Sequence, residues 1–224
     1  MDESRPYGRR AFLAVTLGGL SALWWAQPAW RALSGAAQPL ENALPPGLVP
    51  SGWRIYTVAS TMPRFDPATW RLRVEGRVAH PVELDYRQLR ALPRAEQVST
   101  FHCVTGWSVK NVHWAGVRFR DLLEPAGPLP DATTLTFVSA EVPYVDTLTL
   151  AQARLGDAML AYEMDGKPLP REHGAPARVV IPEMYGYKNV KWVSRIVVGT
   201  DADPGYWEQR GYDVDAWVGR SNGF

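Results

Sequence analysis

The chain has 224 residues, enough for one large domain or two small ones with a sizeable core. Its hydrophobic fraction of 46% and charged fraction of 21% are those of an ordinary globular protein, and a net charge of +1 argues against a general nucleic-acid binder, which would carry a basic patch or stripe. Ten Trp, and 19 Pro beside 19 Gly, favour many short elements joined by shaped turns over a helical bundle, and no internal repeat points to a solenoid.

The first segment differs from the rest. Arg9 and Arg10 precede a run without charge from Ala11 to Ala26, a basic region followed by an apolar one. That run is shorter than the ~20 residues a comfortable bilayer span needs. Paired arginines before "AFLAV" resemble the twin-arginine export signal, a receptor-read address for proteins that travel already folded. An ordinary secretory signal and an amphipathic surface helix are the alternatives. Small residues around Ala36 suit cleavage, whereas Trp24, Trp25 and Trp30 suit an uncleaved interfacial anchor. The expected organisation is a signal or anchor over 1–36, a Pro-rich lead-in over 37–52 and a folded domain over 53–224.

Along that domain, "TWRLRVEGRV" alternates, with Trp70, Leu72 and Val74 on one face, and predicts a half-buried strand. "LDYRQLRALP" predicts a helix that starts at the capping residue Asp85 and stops at Pro93. "AEQVSTFHC" returns to strand. "WAGVRFRDLLEPAG" reads as a turn and then a short helix ending near Pro125, and the Thr- and Val-rich "ATTLTFVSAE" as a strand. "LTLAQARLGDAMLAYEMDG" gives a helix and then an extended stretch closing at Asp165-Gly166. "ARVVIPEMYGYKNVKWVSRIVVG" gives two strand-like runs broken at "EMYGYKN", and the aromatic tail after it reads as ordered coil. Strands and helices without regular βαβ alternation predict an α+β fold.

The one cysteine, Cys103, lies in "FHCVTGWS". It reads as a small buried hydrophobe, as a nucleophile with His113 or another histidine as base, or as a thiolate ligand to a soft metal. Outside the cytoplasm an exposed free thiol is liable to oxidation, and burial or metal ligation protects it. Consecutive side chains of a strand face opposite ways, so His102 is a poor co-ligand unless the strand has ended, and the lack of a second cysteine argues against zinc.

"FHCVTGWS" with "WAGVRFRDLL", then "GKPLPREHGAPARVVIPEMYGYKNVKWVSRIVV" and "GYWEQRGY", resembles the sulfite-oxidase superfamily of molybdopterin-dependent oxidoreductases, from about Trp53 onward. Within it, the branch with the periplasmic methionine-sulfoxide reductase catalytic subunit is the most similar. The resemblance implies a sulfite-oxidase-type fold and a molybdenum–molybdopterin cofactor, with Cys103 as the metal ligand and catalytic residue. It places His173, Arg178, Asn189, Val190 and Lys191 at the pterin and its phosphate, along with Tyr56 and Thr57 of "RIYTV" and Ser139 of "FVSAE". An arginine suits paired hydrogen bonds to phosphate, and a turn of backbone N–H groups beside a cation suits an anion.

One departure matters. Sulfite oxidases follow their cysteine with basic residues, whereas here Val104, Thr105, Gly106 and Trp107 follow and Lys110 is the next cation. The expectation is an exported oxidoreductase that moves an oxygen atom, reducing sulfoxides or related S- or N-oxides, with a separate cytochrome or membrane haem protein for electrons and membrane contact only through the N-terminal segment. A sulfite or other sulfur-compound oxidase, and a cofactor-free binding protein on the same fold, are the alternatives. Tyr144, Tyr185 and Tyr187 are candidates to position substrate.

Overall fold

The computed structural model describes residues 52–222. The expected export signal and nearly all of the lead-in fall outside the described residues.

Two five-stranded sheets carry the fold. In the first the order is β2 (Val82–Leu84), β1 (Leu72–Gly76), β10 (Val193–Gly199), β5 (Thr134–Ser139), β6 (Val145–Thr149). β1 and β10 run parallel and their other neighbours antiparallel. In the second, β3 (Ala95–His102), β4 (Ser108–Arg118), β7 (Met159–Met164) and β8 (Lys167–Pro168) follow one another, and β9 (Arg178–Val180) also pairs with β7.

Period-two geometry explains why β7 is buried along its whole length. Leu160 and Tyr162 enter the main core, where they meet Leu72, Val74, Phe137 and Ile196 of the first sheet, while Met159 and Ala161 enter a second cluster with Val112, Trp114 and Val180. A strand packed on both faces loses the polar alternation that marks a half-exposed one.

The helices are short. α1 (Tyr86–Ala91) starts from Asp85 in a reciprocal capping box with Gln88, as its sequence predicts. α3 (Leu150–Ala153) is capped the same way by Thr149 and Gln152. One expectation fails: "WAGV" is no turn. β4 continues through it and leads directly into α2 (Phe119–Leu123), because Trp114, Ala115 and Val117 are all buried between neighbouring strands. The tail after β10 is ordered coil with one 3-10 turn over Glu208–Arg210, as expected.

Candidate active site

Cys103 opens the loop that joins β3 to β4. Its N–H donates to the Trp107 carbonyl at 2.9 Å, and its own carbonyl accepts from Gly106 N–H at 3.0 Å. Gly106 sits at φ +90°, where a side chain would be strained, and this closes the turn tightly. β3 ends at His102, so strand alternation stops before the thiol. The His102 ring turns to the Ser108 hydroxyl at 2.9 Å. His113 lies exposed on β4 and is not part of the cavity wall, so it is not placed as a base for the thiol.

The thiol faces a cavity of about 220 Å³. Burial pushes its pKa up, and the Thr105 hydroxyl at 3.1 Å and the charge of Arg54 pull it back in part. The β5–β6 connection lines the cavity with Glu141 and Tyr144, and the stretch before and into β9 lines it with Glu172, His173 and Arg178. Three further segments close it around the Cys103 loop. One is the irregular strap over 53–58. Another is the β9–β10 loop, which brings Gly186, Tyr187, Asn189 and Lys191. The third is the tail, which brings Trp207 and Tyr212. Gly186 is what lets the second approach the first loop: its N–H donates to the His102 carbonyl at 2.7 Å, and a Cβ there would stand 2.4 Å from the Phe101 ring.

Seven of the nine candidate residues line this cavity: Tyr56, Thr57, Cys103, His173, Arg178, Asn189 and Lys191. Ser139 and Val190 stand behind the wall. The Ser139 hydroxyl donates to the Lys191 carbonyl at 2.8 Å and accepts from Glu141 N–H at 2.9 Å, so it fixes two residues that do reach the cavity. Val190 is fully buried, and its carbonyl accepts from Val179 N–H. The N–H groups of Lys188, Asn189 and Val190 are already bonded inside their own loop, so that segment presents side chains rather than a run of free N–H donors.

Charge inside the cavity is unbalanced in an informative way. Arg178 is 3% exposed and donates only to the carbonyls of His173 at 3.1 Å and of Val179 and Asn189 at 3.4 Å, with no carboxylate partner among the described residues. Its guanidinium lies over Phe101 and Trp114, 5.4 and 5.2 Å from their ring centres. Burial lowers its pKa to about 10, so it keeps its charge at neutral pH. Burial, and then the Arg178 charge, hold the Lys191 ammonium down to about 8. Burial and Arg178 likewise hold His173 down to about 4, which leaves the ring neutral, and its Nδ1 is buried without a partner. Arg54, Arg178 and Lys191 outnumber the two lining carboxylates, Glu141 and Glu172, and Glu141 is already bonded to the strap. With an unused polar atom as well, this aromatic pocket suits an anionic, polar ligand.

Among the described residues no group of three or more His, Cys, Asp or Glu is placed to hold a metal. A metal at Cys103 therefore brings most of its ligands with it, as a soft metal carried on a sulfur-rich organic cofactor does. The candidate tyrosines divide. Tyr144 and Tyr187 line the cavity, but their hydroxyls donate to the carbonyls of Tyr187 and Asp213, each at 2.7 Å. Tyr185 is fully buried outside it, and its hydroxyl accepts from Gly219 N–H. Sequence reasoning missed Trp53, Arg54, Glu141, Trp207 and Tyr212. Only the fold brings them to the thiol, and the strap has no periodicity that would announce it.

A thiol, a cationic anion cradle and mixed sheets around them define a cofactor-dependent oxidoreductase. The oxidoreductase molybdopterin-binding domain matches residues 59–207, and the chain belongs to that family. Its cofactor is molybdenum–molybdopterin. The chain is 38% identical to the uncharacterized oxidoreductase YuiH of Bacillus subtilis, over 68% of this chain and 77% of that one. It is 35% identical to the protein-methionine-sulfoxide reductase catalytic subunit MsrP of Gluconobacter oxydans, over 65% of this chain and 52% of that one. Among solved structures, the sulfane dehydrogenase SoxCD of Paracoccus pantotrophus is similar, with a TM-score of 0.60 and 25% identity over 64% of this chain and 41% of that one. The chain thus spans only about half the length of these last two relatives.

Proposed function

We propose that the enzyme is an extracytoplasmic reductase of sulfoxides or related S- or N-oxides, fed with electrons by a separate haem protein. The observation that carries this reading is the wall beside Cys103: Trp53, Ile55, Tyr56, Val104, Trp107, Trp207 and Tyr212 make it aromatic and apolar. Such a wall suits an uncharged sulfoxide on an apolar arm better than a small dianion, whose desolvation it would not offset. The similarity to a methionine-sulfoxide reductase subunit supports the same substrate class, and Arg9-Arg10 with the apolar run after them supports export in the folded state.

The cofactor supplies two-electron oxygen-atom chemistry when bound. The chain's own residues hold it. Cys103 would offer a thiolate to the metal, Arg178 and Lys191 would balance the phosphate, and the strap would form one side of the cavity that holds the cofactor. Overall, one sulfoxide, two electrons and two protons give one sulfide and one water.

A second reading is favoured by one residue. Arg54 lines the cavity, and its charge acts on the Cys103 thiol. It supplies the cation that the segment after Cys103 lacks, which suits oxidation of an anionic sulfur compound. Turnover by the purified loaded enzyme separates the two. The expected result is oxidation of a reduced viologen dye by methionine sulfoxide, abolished in Cys103→Ser, with no reduction of ferricyanide by sulfite. Sulfite turnover without sulfoxide turnover would overturn the reductase reading in favour of the oxidase.

A further inference from the structure

We propose that Trp107 is a further cofactor-binding residue, its indole N–H donating to the group held beside Cys103. The inference rests on the cofactor and not on the choice of substrate.

Trp107 is 4% exposed and lines the cavity, yet its Nε1 is buried with no hydrogen-bond partner. An indole N–H is a donor only, and leaving such a donor buried and unpaired forfeits the hydrogen bond it would make to water. Buried tryptophans ordinarily find a partner. The ring is not free to turn and seek one. It is tilted against Phe101 with centroids 5.7 Å apart and lies 6.4 Å from Tyr56, while Trp53 meets it edge-on at 6.2 Å. The backbone is equally fixed, since the Trp107 carbonyl accepts the Cys103 N–H. One turn therefore carries Cys103 at its first residue and an unpaired buried donor, fixed by its packing, at its last.

His173 independently repeats the pattern across the same aromatic group. Its Nδ1 is buried and unpartnered, it is 7% exposed, and Trp53 packs edge-on against it at 4.7 Å. Two orphaned polar atoms therefore flank one ring, Trp53, which belongs to the strap. Both residues line the same cavity, and the Trp53 ring touches each of them.

Trp107→Phe keeps an aromatic ring in the packing and removes the N–H together with the rest of the pyrrole ring. The loaded variant should release molybdopterin about three- to tenfold faster than the loaded wild type on dilution into buffer, as the loss of one hydrogen bond implies. Its Mo(V) electron paramagnetic resonance spectrum should be altered, and the cofactor-free variant should still melt cooperatively, a little lower than the cofactor-free wild type for the packing lost with the smaller ring. Wild-type release and an unchanged spectrum would overturn the assignment. In the wild-type chain, ¹⁵N-indole NMR gives the same answer without a variant. One buried indole N–H should gain a hydrogen-bond shift between the cofactor-free and loaded forms, and indole resonances that all stay in place would equally overturn it. These readouts do not depend on which oxide is turned over, so a failed sulfoxide assay and a failed Trp107 assignment are distinguishable.

Discussion

Lys191 donates to the Tyr56 carbonyl at 2.6 Å and sits with its ammonium 4.1 Å from the Trp192 ring centre. It holds the strap and at the same time faces the anion cradle. Because burial and Arg178 bring its pKa down to about 8, it loses its proton as pH rises through that value, well before an exposed lysine would. The protonated form is the one that attracts phosphate, so the loaded enzyme should release cofactor faster at pH 9 than at pH 7. Lys191→Arg, which stays charged, should flatten that rise. Release rates that are flat in the wild type would remove Lys191 from the cradle. At this scale the sequence was informative where a motif carried the residue: Cys103 and Arg178 sit in recognisable runs, and both reach the cavity. It was silent on Arg54, whose place beside the thiol depends on where an irregular segment crosses, and on Trp107, whose orphaned N–H is visible only once its neighbours are in place. Ser139 and Val190 stand behind the cavity wall, since a motif can mark the residue that supports a wall as well as the one that forms it.

The strap is the element that pattern reading could not supply. Residues 53–63 form no helix or strand, and three side chains from elsewhere bond part of their backbone. A single Glu141 oxygen accepts from the Thr57 hydroxyl, from Val58 N–H at 2.7 Å and from Ala59 N–H at 3.2 Å. Arg171 donates to the carbonyls of Met62 and of Pro63, the latter at 2.9 Å, and Lys191 takes that of Tyr56. A carboxylate gathering three donors is a charge-assisted latch. Glu141→Gln keeps the shape and removes the charge, so hydrogen exchange over 54–61 should quicken and stability should fall by about 1–2 kcal/mol, while β4 and β7 stay protected. Unchanged exchange in the strap would mean that Arg171, Lys191 and the packing of Trp53 hold it without the Glu141 charge. Regular elements were legible because each answers to a local rule. Asp85 caps α1 as its position predicts, and Leu72 with Val74 bury one face of β1. "WAGV" misled because a strand buried on both faces lacks alternation and its glycine imitates a turn. In fact Gly116 is there because β7 passes close by, with Leu160 O only 2.1 Å from where a Cβ would stand.

On the scale of the whole molecule, the tail reaches the cavity because a buried charge cluster ties it down. Lys188 Nζ donates to Asp146 at 2.8 Å, to the Thr147 carbonyl at 3.0 Å and to Glu208, and all three charged side chains are almost fully buried. Glu208 also accepts from Gly205 N–H at 2.8 Å, so β6, the β9–β10 loop and the tail meet at one ammonium. Trp207, next to Glu208, then forms part of the cavity wall. One cation facing two carboxylates leaves an excess negative charge, and burial, ahead of the neighbouring Glu208, lifts Asp146 to about 7 despite the pull of Lys188. The sign follows. Folded protein keeps a proton that the unfolded chain has lost above its ordinary aspartate value, so Asp146's contribution to stability is full at low pH and is lost as pH rises toward 7. Lys188→Met removes the ammonium that makes two buried carboxylates tolerable. It should cost about 3–5 kcal/mol at pH 8 and clearly less at pH 5, where a proton can replace the missing cation. Chemical unfolding at both pH values checks this. An equal cost at pH 5 and pH 8 would show that Lys188 acts through packing, whereas the expected difference would show that it acts by balancing the two buried carboxylates, one of which, Glu208, stands next to Trp207 of the cavity wall.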